Sequence, residues 1–228
     1  MNALLVLNLL IVLYITTVSA SSSSSPVLKA TPSKETKKEK VSFKLGFPSS
    51  RGLGLTLAGE GKRSKGPIQV YTAALYFDKN GVVSSIKKIK SLNGKSASEL
   101  ANSREFEDAL INGNFGKHVV LKMSRNVSGK TMAEAIGDSV KPRMKGKDSK
   151  QLSEFQNILL SSLKDGAKTG MILSFEGSSS LTVKINGTKK GAVSSPTLCK
   201  AFIDVYVGKD CVSSSLKSSV ASVVSSWL

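Results

Sequence analysis

The sequence predicts an α+β fold, with one large antiparallel sheet covered by helices on one side. Strand patterns come first along the chain, helical patterns fill the middle, strand patterns return, and two helical patterns close it. In addition, 40% of the 228 residues are hydrophobic. That composition suits a single domain with its own core, and the length leaves room for an N-terminal extension.

The N-terminal extension is typical of a targeting signal. Residues 1–20 are apolar and uncharged and end in Val-Ser-Ala, which predicts a signal peptide cleaved after Ala20. The alternative is a membrane anchor, because the run is nearly long enough to span a bilayer. Residues 21–40 are rich in Ser, Lys and Pro, which predicts a disordered linker or a transit segment. We therefore expect entry into the secretory pathway, followed either by secretion or by import into a plastid through a bipartite address.

The folded domain is expected to cover residues 41–228. It opens with VSFKLGF, whose alternation predicts a strand. The segment Leu57–Asp78 predicts a β-hairpin whose turn is Lys65–Pro67. Two glycines in the first arm indicate a bulge or a close backbone approach. The second arm, IQVYTAALYF, has the β-branched and aromatic composition of a buried strand.

The segment after the hairpin alternates between turns, helix and strand. Residues 78–81 predict a turn, and residues 82–95 a lysine-rich loop with a short strand. Apolar spacing predicts a helix over Ser98–Asn112 that Gly113 ends. Residues 117–125 predict a strand, and His118 at its start is expected to lie at the surface or at a sheet edge.

Two amphipathic helices are predicted in the middle of the chain. The first begins at Ser128, and Pro142 marks a kink or break near its end. The second covers Gln151–Leu163. Each has one apolar stripe at helical spacing, formed by Met132, Ala135, Ile136 and Val140 in the first and by Leu152, Phe155, Leu159 and Leu163 in the second.

The C-terminal third predicts further strands and then two helices. The strands are expected at residues 170–175, 181–185 and 192–194. One helix is predicted over residues 195–207, with proline at its second position and Gly208 as its stop, and a last helix over 213–228.

Composition limits the classes of partner. The net charge of +17 permits binding to nucleic acid or to an anionic membrane. The basic residues are scattered, however, and aromatic residues make up only 6%, so no nucleic-acid platform is evident. Membrane-surface contact through the basic loop at residues 87–95 stays open. Two cysteines and one histidine do not suffice for an ordinary zinc site, and we expect Cys199 and Cys211 to be free thiols.

One pair of residues in the hairpin could hold an anion. Arg63 lies two residues before the turn and Tyr71 four residues after it, so antiparallel pairing can place both side chains on one face. A guanidinium fork and a phenol at the edge of an apolar layer would suit a carboxylate. The alternative is that Arg63 is a solvated strand charge and Tyr71 an ordinary strand aromatic.

Four segments together resemble a known family. They are G-x-G-x-R followed by VY-x-A-x-LY in the hairpin, VSGKTMAEAIGDSVKPRM at 127–144, GMILSFEGSSSLTVKINGTKKGAVSS at 170–195, and LCKAFIDVYVGKDCVSSSLKSSVA at 198–221. In this order they are similar to the chalcone isomerase superfamily, and most to its non-catalytic fatty-acid-binding branch. The resemblance covers residues 42 to 228 and implies an open-faced β-sandwich. It also implies binding of a long-chain fatty acid, with Arg63 and Tyr71 on the carboxylate.

The resemblance also bears on catalysis. The family's enzymes carry Tyr, Lys and Asn on the helix after a Ser-Gly start, and these positions fall on Met132, Ala135 and Ser139. Their threonine position falls on Tyr71, where the fatty-acid-binding branch has tyrosine. The spacing between Arg63 and Tyr71 is about four residues shorter than in the plant proteins. A hairpin can lose residues in pairs across its turn and keep the same side chains facing each other, because the strand period is two. We therefore expect no enzyme activity, no catalytic residue, no cofactor and no metal.

The fatty-acid tail would need an apolar slot between the sheet and the helices at 128–140 and 151–163. Met132, Phe155 and Leu159 are candidates for lining that slot, and plain core packing is the alternative reading. Other functions that stay open are a chalcone-isomerase-type lyase or related enzyme with a divergent residue set, and a membrane-surface helper protein. The chain is expected to act as a monomer.

Overall fold

The computed structural model describes residues 54–228. Within them lies one six-stranded antiparallel sheet, in which each strand pairs with its neighbour in sequence. The strands are β1 (Thr56–Lys65), β2 (Ile68–Phe77), β3 (Lys117–Met123), β4 (Ile172–Glu176), β5 (Ser180–Ile185) and β6 (Thr188–Ser194). The signal peptide, the linker and the strand predicted at residues 41–47 lie outside the described residues.

Seven α-helices accompany the sheet in this part of the chain. They are α1 (Lys79–Lys87), α2 (Ala97–Ala101), α3 (Arg104–Asn112), α4 (Gly129–Val140), α5 (Ser149–Ser162), α6 (Pro196–Val207) and α7 (Ser214–Ser225). Short 3₁₀ turns at Lys90–Leu92 and Lys141–Met144 follow α1 and α4. The α+β class predicted from the sequence is confirmed, and none of the described helices is both long and apolar enough to cross a membrane.

Serine side chains fix where most of the helices begin. At five helix starts a serine hydroxyl accepts a hydrogen bond from the backbone N–H three residues later, which satisfies one otherwise unpaired donor. These serines are Ser96, Ser103, Ser128, Ser195 and Ser213. Because this signal is local, the starts of α4, α6 and α7 are where the sequence predicts them.

The core lies between the sheet and helix α6. Along β2, the alternate residues Tyr71, Ala73, Leu75 and Phe77 are buried in one continuous apolar cluster. Eight of the twelve residues of α6 are buried in this same cluster. Helix α6 packs against α3, α4, α7 and β5, and its Phe202 contacts Phe175 of β4.

The segment after the hairpin differs from its prediction. Instead of a turn and a loop with a short strand, residues 79–87 form α1, and Asp78 accepts a hydrogen bond from the backbone N–H of Asn80 at its start. Val82 and Ile86, four residues apart, bury one side of the helix. Gly81 is needed inside it, because a Cβ there would lie 2.5 Å from the Cβ of Phe115. The predicted helix at Ser98–Asn112 is two helices, separated at residues 102–103 because Ser103 begins a new one.

His118 is not at a surface or an edge. It lies in β3, between β2 and β4, and is buried. Its Nε2 is 3.4 Å from a Glu176 carboxylate oxygen, and its ring packs 5.8 Å from that of Tyr76. Burial lowers the pKa of His118 despite the Glu176 charge nearby. The prediction was wrong because β3 is an inner strand, and sheet order is not visible in a local pattern.

Candidate functional site

The hairpin brings Arg63 and Tyr71 together. In the β1–β2 ladder these two residues are direct partners, and the register shifts immediately after Arg63. Directly opposite residues of antiparallel strands have neighbouring side chains on the same face of the sheet. The juxtaposition expected from the sequence is therefore present, on the face that carries the apolar core.

Two glycines place β1 against the last helix. Gly59 and Gly61 precede Arg63 on the same face of the strand, opposite Leu75 and Ala73. A Cβ on Gly61 would lie 2.3 Å from the backbone nitrogen of Leu216, and one on Gly59 would lie 2.6 Å from that of Val220. Only glycine permits this approach of helix α7 to the strand. The G-x-G-x-R pattern thus has a physical reason. The two glycines let α7 approach the strand, and Arg63 lies beside the loop that precedes α7.

The loop between α6 and α7 anchors the arginine. Nη1 of Arg63 donates a 3.0 Å hydrogen bond to the carbonyl oxygen of Val212. Val212 is held in turn by its own N–H, which donates to the carbonyl oxygen of Val205 in α6. The hydroxyl of Ser213 donates to the carbonyl of Lys62, so both Val212 and Ser213 are tied to β1. This hydrogen bond uses one of the five N–H donors of the guanidinium and orients the other four.

Tyr71 shares a hydrogen bond with a second buried tyrosine. The side-chain hydroxyls of Tyr71 and Tyr206 are hydrogen-bonded, and both residues are buried, with exposures of 8% and 1%. Burial raises the pKa of Tyr71, although the bond to Tyr206 and the positive charge of Arg63 oppose the rise. Burial raises the pKa of Tyr206 well above its ordinary value, and Tyr71 adds to the effect. Both phenols are therefore neutral near pH 7 and can act as hydrogen-bond donors.

An aromatic row leads from these hydroxyls into the core. The ring of Tyr206 lies 5.6 Å from that of Phe202, one helical turn earlier in α6. Phe202 packs at 4.6 Å from Phe175 on β4 and at 5.8 Å from Phe155 on α5. The polar group Arg63–Tyr71–Tyr206 thus stands at one end of a continuous apolar path. Charge at one end and hydrocarbon along the rest is the pattern that an amphipathic ligand requires.

The three lining candidates are part of this core. Met132, Phe155 and Leu159 are 2%, 0% and 0% exposed, and all belong to the cluster that contains Tyr71 and Tyr206. Four surface depressions in the described residues are lined by other side chains, and neither Arg63 nor Tyr71 borders any of the four. A ligand could reach these three residues only by separating side chains that pack together here. Their role as lining residues therefore stays a prediction.

Sequence reasoning missed Tyr206 and the carbonyl of Val212. Tyr206 falls four residues after Phe202 in the apolar stripe of α6, so its hydroxyl was certain to be buried and to need a partner. That signal was present, but the identity of the partner depends on the tertiary fold. A backbone carbonyl leaves no signal in the sequence at all.

Among the described residues, no cluster of three or more His, Cys, Asp or Glu side chains is placed to bind a metal ion.

Comparisons with known proteins agree with this architecture. A family model described as chalcone-flavanone isomerase matches residues 41–227. Fatty-acid-binding protein 1 of Arabidopsis thaliana is 28% identical over 177 residues, which cover 72% of this chain and 62% of the relative. The chain thus spans less than two thirds of that relative's length. The crystal structure of an Arabidopsis thaliana fatty-acid binding protein matches with a TM-score of 0.68 at 22% identity, over 79% of this chain and 93% of the other.

Proposed function

Because this chain belongs to the chalcone-flavanone isomerase family, we propose that it binds a long-chain fatty acid without transforming it. Arg63 and Tyr71 hold the carboxylate, and the tail follows the aromatic row. One observation carries the proposal: Arg63 and Tyr71 are direct partners across the hairpin, on the core face of the sheet. The matches to two proteins named for fatty-acid binding support the choice of ligand.

The polar group suits a carboxylate in particular. The guanidinium supplies positive charge and parallel N–H donors, so a bound carboxylate stays ionised despite partial burial. The hydroxyls of Tyr71 and Tyr206 share one hydrogen bond, which uses a single proton, so one phenol proton stays free for the ligand.

The tail supplies most of the affinity. Burying each methylene contributes about 0.8 kcal/mol, so a tail of about fifteen methylenes offers roughly 12 kcal/mol before any cost. Part of that energy separates side chains that pack together without ligand. The path runs past Tyr206 and Phe202 toward Phe155, and then between α4 and α5, where Met132 and Leu159 would line it. The helices around the core move apart as the ligand enters.

The competing function is that of an isomerase, which the family name itself suggests. Three positions on α4 speak against it. Met132 is apolar and buried, and Ala135 is exposed without a polar group. Ser139 donates its hydroxyl to the carbonyl of Ala135, at 2.8 Å, so it serves its own helix. None of the three can position a water or a phenolate for ring closure, and a chalcone should cyclise no faster than it does spontaneously.

Mass spectrometry of co-purified lipid tests the proposal. The protein is expressed in a heterologous host and extracted with organic solvent, and its lipids are compared with those of the Arg63→Ala variant. Long-chain free fatty acids should accompany the wild type and fall several-fold in the variant. Absence of fatty acid from the wild type, with no uptake of added palmitate, would contradict the proposal. Chalcone turnover above background that Arg63→Ala abolishes would favour the isomerase.

A further inference from the structure

A lysine-rich surface lies at the opposite end of β2 from the hairpin turn. From Lys79 to Ser98 the sequence contains five lysines and no acidic residue. Lys95 is half-buried and the other four are exposed, and none of the five forms an ion pair within the described residues. The surface begins directly after β2 ends, about 20 Å along the strand from Tyr71. It is therefore separate from the proposed fatty-acid site.

The C-terminal residues add an apolar centre to this surface. Nζ of Lys79 lies 5.9 Å from the centroid of the Trp227 ring. A depression of about 570 Å³ is bordered by Lys87, Lys95 and Leu228. Leu228 is among the exposed large hydrophobic residues of the described part. We name the combined surface the basic patch, formed by Lys79, Lys87, Lys88, Lys90, Lys95, Trp227 and Leu228.

Apolar contacts, rather than these charges, hold this segment to the fold. Residues 79–92 are held to the core by Val82, Ile86 and Leu92, which are fully or almost fully buried. Lys95 interacts electrostatically with Glu99 and Glu105 beyond ion-pair distance. The other four lysines have no carboxylate partner among the described residues, so their like charges repel one another. Elsewhere two half-buried lysines do have carboxylate partners, Lys184 with Glu176 and Lys217 with Glu107. The unpaired lysines are available to an anionic partner.

We propose that the basic patch docks the protein on an anionic lipid surface. Each lysine held near anionic headgroups strengthens association roughly fivefold. Tryptophan prefers the boundary between headgroups and hydrocarbon, where its ring is buried and its N–H stays hydrated. Nucleic acid is a poorer match, because single strands require several stacking aromatics and the patch has one. The proposal does not depend on fatty-acid binding.

Trp227 provides a local reporter, because it is the only tryptophan in the chain. The full chain is titrated with vesicles of phosphatidylcholine alone or of phosphatidylcholine with phosphatidylglycerol. Anionic vesicles should shift the tryptophan emission to the blue, and brominated lipid should quench it. The apolar run at residues 1–20 can contact lipid by itself, so the test relies on this local signal and on variants of the same chain.

Two triple variants separate the basic patch from general positive charge. Lys87→Gln, Lys88→Gln and Lys90→Gln together should weaken binding to anionic vesicles about a hundredfold. The matched control, Lys164→Gln, Lys189→Gln and Lys190→Gln, removes the same charge from exposed positions elsewhere. The affinity of this control for anionic vesicles should fall severalfold at most. Added salt should weaken vesicle binding by the wild type more than binding by the patch variant.

Three results would overturn the proposal. Equal losses in the two triple variants would mean that only net charge matters. A Trp227 signal that brominated lipid leaves unchanged would place the basic patch away from the bilayer. Displacement of the anionic vesicles by a short DNA duplex, at a lower concentration than soluble phosphatidylglycerol analogues require, would make the patch a nucleic-acid surface.

Discussion

Replacing Arg63 by alanine separates a carboxylate clamp from a structural arginine. A hydrogen bond to a charged group contributes about 1.5–3 kcal/mol, so Arg63→Ala should weaken palmitate binding roughly 10- to 150-fold. Hexadecanol has the same tail without the carboxylate, and the wild type should bind it less tightly than the acid. The substitution should leave hexadecanol almost unaffected. Both affinities can be measured by displacement of a fluorescent fatty acid.

The control for this prediction lies one residue away. Lys62 is exposed, and its hydrogen bonds to α7 and its preceding loop use backbone atoms, so Lys62→Ala removes the same charge without touching the site. Arg63→Ala also frees the Val212 carbonyl, which should lower the free energy of unfolding by about 1 kcal/mol and leave the protein folded. Equal affinity of the wild type for palmitate and hexadecanol would refute the clamp. So would equal losses of palmitate affinity in the two variants.

Further predictions address the second tyrosine, a buried lysine, the helix contact and the N-terminus. Tyr206→Phe removes only the hydroxyl that is hydrogen-bonded to Tyr71, so palmitate should bind about fivefold more weakly, and unchanged affinity would exclude Tyr206 from the site. Burial lowers the pKa of Lys117 from 10.5 to about 8, so above pH 8 the unfolded chain holds more protons and stability rises with pH. In urea unfolding from pH 8 to pH 9, the wild type should gain roughly 1 kcal/mol relative to Lys117→Met, and parallel curves would contradict this. Gly61→Ala should lower the free energy of unfolding by at least about 1–3 kcal/mol, because the new Cβ meets backbone rather than a flexible side chain. N-terminal sequencing of native protein should start at or beyond Ser21, and a chain that still begins at Met1 would rule out cleavage.

The parts of the fold that the sequence predicted well depend on local signals. The hairpin, β3 and helices α4 to α7 are marked by apolar runs, helical apolar stripes, serine caps or glycine stops that act within a few residues. Helix α1 was missed because its apolar side has only Val82 and Ile86, and because Gly81 suggests a turn until its contact with Phe115 is known. The position of His118 in an inner strand likewise depends on sheet order rather than on its neighbours in sequence.

The residues of the candidate site also differ in whether local sequence could predict them. Arg63 and Tyr71 are close in sequence, so hairpin register alone could bring them together, and it does. Tyr206 and the carbonyl of Val212 reach the site from the far end of the chain, which no short-range pattern encodes. A tyrosine in the apolar stripe of α6 was the one clue to a distant polar partner.

The contact between β1 and α7 also affects the stage of synthesis at which the proposed site can form. Arg63 and its carbonyl partner are separated by 149 positions in sequence. A chain still emerging from a ribosome or a translocation channel already contains the hairpin, but not the loop that orients the guanidinium. Until α7 arrives, the outer edge of β1 in the described sheet has no helix beside it, and such an edge invites pairing with other chains. Closing so long a loop is also slow. The proposed carboxylate site therefore cannot form until the segment that contains Val212 and α7 has been made.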